Sequence, residues 1–118
     1  MAARGVVIWH RPTCSKSRGA LALLREAGLE PRIVDYVAQP PTLAELRQAI
    51  ARAGLTVRDA LRKGEPEYAA LGLGDPALDD EALLQAMVAH PRLIERPFVF
   101  TAKGVRLCRP PERVREIL

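Results

Sequence analysis

Apolar residues along the chain fall into short blocks separated by glycine and proline, and the spacing within each block separates strand from helix. "GVVIW" at 5–9 is a continuous apolar run with β-branched members, bounded by Gly5 and by polar His10 and Arg11, and predicts a buried strand. From Ser15 onward, Ala20, Leu23, Leu24 and Ala27 follow helical spacing, with Gly28 placed to end the helix. "RIVDYV" at 32–37 predicts a second strand, which "QPP" at 39–41 breaks.

The middle of the chain carries helical signals and no strand signal. Thr42 and Glu45 form a capping-box pattern ahead of Leu43, Leu46, Ala49, Ile50 and Ala53, with Gly54 as the stop. Thr56 with Asp59 repeats the signal and predicts a short helix through Leu61 and Arg62. A further helix is predicted over Asp79–Ala89, with Leu83, Ala86 and Met87 on one face and Pro91 to halt it. After Pro97 the pattern changes to "FVF", "TAKG" and "VRLC", two short strands around a turn, and "PPERVREIL" closes the chain as a short helix. The order β-α-β, helical block, β-β-α describes an α/β sandwich in one domain over 1–118, with a helical insert at about 42–92.

Composition narrows the functional classes. A chain of 118 residues, 48% hydrophobic, fits one domain with a real core. No apolar run approaches the roughly 20 residues that cross a bilayer, and "MAARGVVIWH" lacks the apolar stretch and cleavage site of a secretory signal, so no membrane association and a cytoplasmic location are expected. The net charge of +4 suits an anionic ligand. Lys and Arg are nevertheless dispersed, with only one Trp, two Tyr and two Phe, which argues against a nucleic-acid partner.

Candidate chemistry centres on "RPTCSKSR" at 11–18. A thiolate is the reactive form of cysteine, and its pKa falls at a helix N-terminus, where unpaired amides and the helix dipole favour negative charge. Cys14 occupies that position, with Lys16, Arg18 and His10 adding nearby or potential positive charge. The amides of Ser15, Lys16 and Ser17 are also placed to hold an oxyanion. A phosphatase loop of the C-x5-R type needs Arg where this chain has Ala20, and a C-x-x-C redox centre needs a thiol where it has Ser17. His10, Cys14, His90 and Cys108 lack the paired spacing of a metal site. With two distant cysteines, no disulfide framework is expected, and Cys108 reads as a small core residue in a hairpin strand.

"HRPTCSKSR" resembles the His-x-Pro-x-Cys segment of the arsenate reductases that work with glutathione and glutaredoxin, the ArsC-like family. "PPTLAEL" at 40–46, "VRDALRK" at 57–63, "HPRLIERPFV" at 90–99 and "GVRLCRP" at 104–110 agree in order and spacing, so the resemblance covers nearly the whole chain. It implies a thioredoxin-like fold. It also implies that Cys14 is the nucleophile, that His10 favours its thiolate, that Arg62, Arg96 and Arg109 bind the oxyanion, and that Pro97 is a cis-proline beside the cysteine. The implied partners are arsenate, glutathione as co-substrate and glutaredoxin, acting on a monomer with no bound cofactor and no metal. Two alternatives share the fold: a general thiol reductase without arsenate specificity, against which the three arginines argue, and a Spx-like regulator that binds RNA polymerase, whose usual C-x-x-C switch Ser17 removes.

Overall fold

The structure, a computed structural model, describes residues 5–118. Four strands and four α-helices follow one another as β1 (Val7–His10), α1 (Ser15–Glu26), β2 (Arg32–Asp35), α2 (Leu43–Arg52), α3 (Pro66–Ala70), α4 (Asp80–Ala89), β3 (Phe98–Thr101) and β4 (Gly104–Leu107). Three 3₁₀ segments, Arg58–Ala60, Pro91–Leu93 and Pro111–Ile117, complete the order. The chain forms two compact units, one from the described part of 1–39 with Arg96–Leu118, the other from Pro40–Glu95.

The first unit holds the sheet, in the order β2-β1-β3-β4, with β1 parallel to β2 and antiparallel to β3. Because side chains alternate across a strand, β1 and β3 present Ile8 and Val99 to one face and Trp9, Phe98 and Phe100 to the other. The first face packs on Ala20, Leu21 and Leu24 of α1 and on Val114 and Ile117 of the last 3₁₀ segment. On the other face the Trp9 ring lies 5.7 Å from Phe98 and 4.9 Å from Phe100, centroid to centroid, in tilted pairs. α1 meets the 3₁₀ segment closely: a Cβ on Gly19 would stand 3.1 Å from Pro111 Cγ.

Local chemistry explains where these elements stop. At the end of α1, Gly28 takes φ 82°, its N–H donates to the Arg25 carbonyl at 3.0 Å, and Leu29 N–H donates to the Leu24 carbonyl at 3.0 Å, a Schellman ending. β2 is shorter than the apolar run suggests because Asp35 Oδ1 accepts the N–H groups of Val37 and Ala38 and turns the chain. The carbonyls of Ile117 and Leu118 accept from Thr101 Oγ1 and Lys103 Nζ, each at 2.6 Å, so the β3–β4 turn caps the final segment.

In the second unit the Thr42–Glu45 capping box is complete: Glu45 N–H donates to Thr42 Oγ1 at 3.1 Å and Thr42 N–H to Glu45 Oε1 at 2.8 Å. α2 packs on α4 and is joined to it by an Arg47–Glu81 ion pair. Thr56 and Asp59 form the same reciprocal pair, yet only a 3₁₀ turn follows, and the helix expected through Leu61 and Arg62 ends at Ala60. Leu61 leaves it for an antiparallel bridge to Ile94, with Arg62 N–H on the Leu93 carbonyl at 2.7 Å and Glu95 N–H on the Ala60 carbonyl at 2.8 Å. α3, started by Pro66, was not expected from the spacing of apolar residues; it is five residues long and buries none of them. No helix among the described residues is long and apolar enough to cross a membrane.

Candidate active site

β1 ends at His10, and the chain turns through Arg11–Cys14, with Cys14 N–H on the Arg11 carbonyl at 2.9 Å, before α1 begins. Cys14 is the N-cap of α1, in extended conformation at φ −96° and ψ 122°, and its carbonyl accepts Arg18 N–H at 3.0 Å. It is a free, partly exposed cysteine. Its side chain makes no cap hydrogen bond, but the nearby N–H groups of Ser17 and Lys16 favour its charged form. Burial pushes the Cys14 pKa up; the Ser17 and Lys16 amides and then the Arg96 guanidinium, through a hydrogen bond and its charge, outweigh that and hold it below the ordinary thiol value.

Arg96 enters from the far end of the chain. It stands directly before β3, is only 7% exposed, and is joined to Pro97 by a cis peptide bond. Arg109, just beyond β4, donates from Nη1 to the Arg96 carbonyl at 2.9 Å and precedes a second cis bond, to Pro110. The first unit therefore gathers Cys14 and two arginines that lie 82 and 95 positions downstream in sequence.

His10 and Ser17 form a buried pair one layer below. Nδ1 of His10 lies 2.7 Å from Ser17 Oγ, and Arg11 N–H donates to the same oxygen at 3.0 Å. Ser17 is fully buried and His10 is 6% exposed. Burial lowers the His10 pKa below its ordinary 6.5; Asp35, paired with it across β1 and β2, opposes this, while Arg25 and Arg18 reinforce it. The positive charge expected of His10 beside Cys14 is thus disfavoured, because desolvation and two arginines outweigh one aspartate. The Ser17 side chain is buried, and its amide, the group expected to hold an oxyanion, favours the Cys14 thiolate.

Ser15 and Lys16 are exposed in the first turn of α1. Arg18 reaches back to the Pro12 carbonyl at 2.8 Å and pins the loop. Arg62 belongs to the second unit, where it is half-buried, donating from Nη1 to Glu95 Oε1 at 2.6 Å and from Nε to Glu65 Oε2 at 3.4 Å. Burial opposes its charge, and Glu95 and Glu65 more than compensate, raising its pKa. Cys108 lies one residue past β4 rather than within it; it is fully buried, its Sγ is 3.7 Å from the Arg106 carbonyl, and burial drives its pKa to about 12. Reading the sequence missed Arg11 as a backbone donor to Ser17, Glu65 and Glu95 as partners of Arg62, and the second cis-proline, Pro110. Of these, only Glu65 carried a signal, the i, i+3 spacing from Arg62.

Comparison with known proteins places the chain in a family. The model of the ArsC family matches residues 9–117. A curated arsenate reductase of Rhizobium meliloti (strain 1021) is 55% identical over 113 residues, covering 96% of this chain and 81% of that protein. The arsenate reductase of Escherichia coli (strain K12) is 46% identical over 113 residues, covering 96% and 80%. The solved structure of an arsenate reductase from Vibrio cholerae superposes with a TM-score of 0.94 at 47% identity, covering 98% of this chain and 99% of that one, and its likeness extends to the thioredoxin-like α/β arrangement. With the family model spanning β1 to the last 3₁₀ segment and relatives this similar along nearly the whole chain, the protein belongs to the ArsC family.

Proposed function

We propose that this protein reduces arsenate to arsenite, with the Cys14 thiolate as nucleophile, glutathione as co-substrate and glutaredoxin as the regenerating partner. The observation that carries the reading is the Arg96 guanidinium set against a Cys14 sulfur whose pKa is depressed. A thiolate and an arsenate anion repel one another at bonding distance, and a planar guanidinium can neutralise both while holding two oxygens in a fixed fork. Arg109, tied to the Arg96 carbonyl, supplies a second guanidinium from the same corner. Family membership supports arsenate as the substrate.

In the proposed sequence Cys14 attacks arsenic and one arsenate oxygen leaves as water, giving a thiol–arsenic(V) adduct. Glutathione then attacks, the arsenic accepts two electrons, and arsenite leaves. Cys14 and glutathione each lose one electron and form the mixed disulfide. The balance is arsenic acid plus two thiols giving arsenous acid, one disulfide and one water. Glutaredoxin with further glutathione resets Cys14 by thiol–disulfide exchange. Arg62 is named as an oxyanion ligand by resemblance alone; its guanidinium is held by Glu95 and Glu65.

The test is arsenate-dependent oxidation of NADPH in the presence of glutathione, glutaredoxin and glutathione reductase, with arsenite measured directly. The expected result is stoichiometric arsenite that disappears in Cys14→Ser. Thiol-disulfide reductase activity without any arsenite would transfer the assignment to a general thiol reductase.

A further inference from the structure

We propose that an open cleft beside the cysteine loop, walled by Arg18, Arg25 and Glu26, is where the external thiol that resolves Cys14 docks, and that it selects a small thiol bearing carboxylates and an ammonium group, as glutathione does. The inference rests on Cys14 acting through a mixed disulfide, as proposed above. It gives the second thiol a site that Arg96 does not line.

The chain offers Cys14 no resolving thiol of its own. Position 17 is Ser, and the other cysteine, Cys108, is fully buried, with burial pushing its pKa to about 12. The resolving thiol therefore comes from solution and has to be held next to the loop. A cleft of about 670 Å³ lies there, within the first unit. That volume falls in the range of about 300–1,000 Å³ in which small-molecule sites are found. Pro12, two residues before Cys14, forms one end of it, Leu21 and Ala22 supply an apolar wall, and Arg18, Arg25 and Glu26 bring the charge.

The charges specify the ligand. Arg18 is exposed and spends its hydrogen bond on a neutral acceptor, the Pro12 carbonyl at 2.8 Å, so it has no carboxylate partner among the described residues. Arg25 pairs with Glu30 at 3.2 Å, but the two side chains are 51% and 60% exposed, and an ion pair that open to water is weak enough to be shared with a ligand. Two guanidiniums and one carboxylate thus line the cleft, and glutathione carries the complement, two carboxylates and one ammonium. Arg18 stands four residues after Cys14, about 6 Å along the helix axis. An extended tripeptide spans about 10 Å. A thiol whose sulfur meets Cys14 can therefore set a carboxylate on Arg18 while the methylenes of its other arm lie along Leu21 and Ala22 toward Arg25 and Glu26.

The test is exchange of the reduced protein with oxidised glutathione, which needs no arsenate. The Cys14 thiolate attacks the disulfide, a Cys14–glutathione bond forms as the S–S bond breaks, and the released glutathione thiolate takes up a proton; Cys14 is oxidised and one glutathione reduced. Each rate, read by intact mass, is divided by the rate with iodoacetamide, a neutral reagent that reports the thiol alone. In Arg18→Ala this ratio should fall about three- to fivefold, the range an exposed charge pair allows, and in Arg25→Ala by less. Ala22→Trp, at an exposed position, fills the cleft without touching its charges and should lower the ratio as well. Hydroxyethyl disulfide, which is uncharged and small, should be indifferent to all three changes. An unchanged glutathione ratio in Arg18→Ala or in Ala22→Trp overturns the proposal. So does an equal fall with iodoacetate in Arg18→Ala, because that small anion has no need of the cleft and its slowing would reveal a general field. A wild-type protein that forms no glutathione adduct at Cys14 would sink the underlying thiol mechanism together with the cleft, whereas a reactive Cys14 with an indifferent cleft sinks the cleft alone.

Discussion

Treating the reduced, folded protein with limiting iodoacetamide at about pH 7.5 should modify Cys14 and spare Cys108, and the size of the preference follows from their surroundings. Burial raises the Cys108 pKa from 9.0 to about 12, whereas that of Cys14 lies below 9.0. Three units correspond to about a thousandfold less thiolate at Cys108. The thiolate of a higher-pKa thiol is the better nucleophile, with a Brønsted coefficient of about 0.4–0.5, which returns a factor of roughly 15–30 and leaves a rate ratio of about 30–60 from ionisation alone. Complete burial of Cys108 widens that ratio, since the reagent reaches it only through local opening. The assay is intact mass against time, with peptide mapping of the first adduct and a control in denaturant where both thiols react. Comparable rates at the two cysteines, in protein whose circular dichroism is unchanged, would refute the electrostatic account of Cys14.

Cys14→Ser should abolish arsenate-dependent turnover, while Cys108→Ala keeps most of it and lowers stability by roughly 1–2 kcal/mol, read from denaturant melts. Arg96→Lys should reduce kcat/KM for arsenate at least about tenfold although charge is retained, because an ammonium cannot reproduce the fork; wild-type kinetics would show that charge suffices. Since the folded pKa of His10 lies below its unfolded 6.5, the unfolded chain takes up that proton first, so stability due to His10 is present above pH 6.5 and is lost as pH falls through 6.5 toward the folded value. Melts across that window should show a steeper acid loss in the wild type than in His10→Asn. Incubation with arsenate and glutathione, without glutaredoxin, should accumulate one glutathione on Cys14 by intact mass; a Cys14–Cys108 disulfide instead would overturn the single-thiol mechanism.

Much of the fold was legible because its signals are local. The Thr42–Glu45 box, the Gly28 stop and the alternating blocks around the β3–β4 turn act within a few residues, and each lies where the spacing placed it. The failures share one cause, a tertiary partner stronger than the local signal. Thr56 and Asp59 form their capping pair, but the backbone of Leu61 and Arg62 is taken by Leu93 and Ile94 more than thirty residues away. β2 stops early because Asp35 turns its own backbone, while Tyr36, which the apolar run assigned to the strand, is buried in the turn that follows.

The same division holds at the site. Cys14 could be read as a reactive thiol because its activating amides are its own neighbours in sequence, at Lys16 and Ser17. Arg96 and Arg109 could be named only by resemblance, since nothing in one chain's spacing shows that a residue before β3 acts on Cys14 or that one after β4 bonds its carbonyl. Ser17 was the instructive error. The buried stripe of α1 runs Ser17, Ala20, Leu21, Leu24, so a polar residue heads an otherwise apolar face, where spacing by hydrophobicity alone skipped it in favour of the exposed Ala27. A buried hydroxyl at the start of such a stripe has to find a partner, and the polar residue that ends the preceding strand, His10, is the partner it has. Helix register thus ties the apolar packing of α1 to the orientation of the amides at Cys14, so a change that rotates α1 against β1 should alter the reactivity of the thiol even where it touches neither residue.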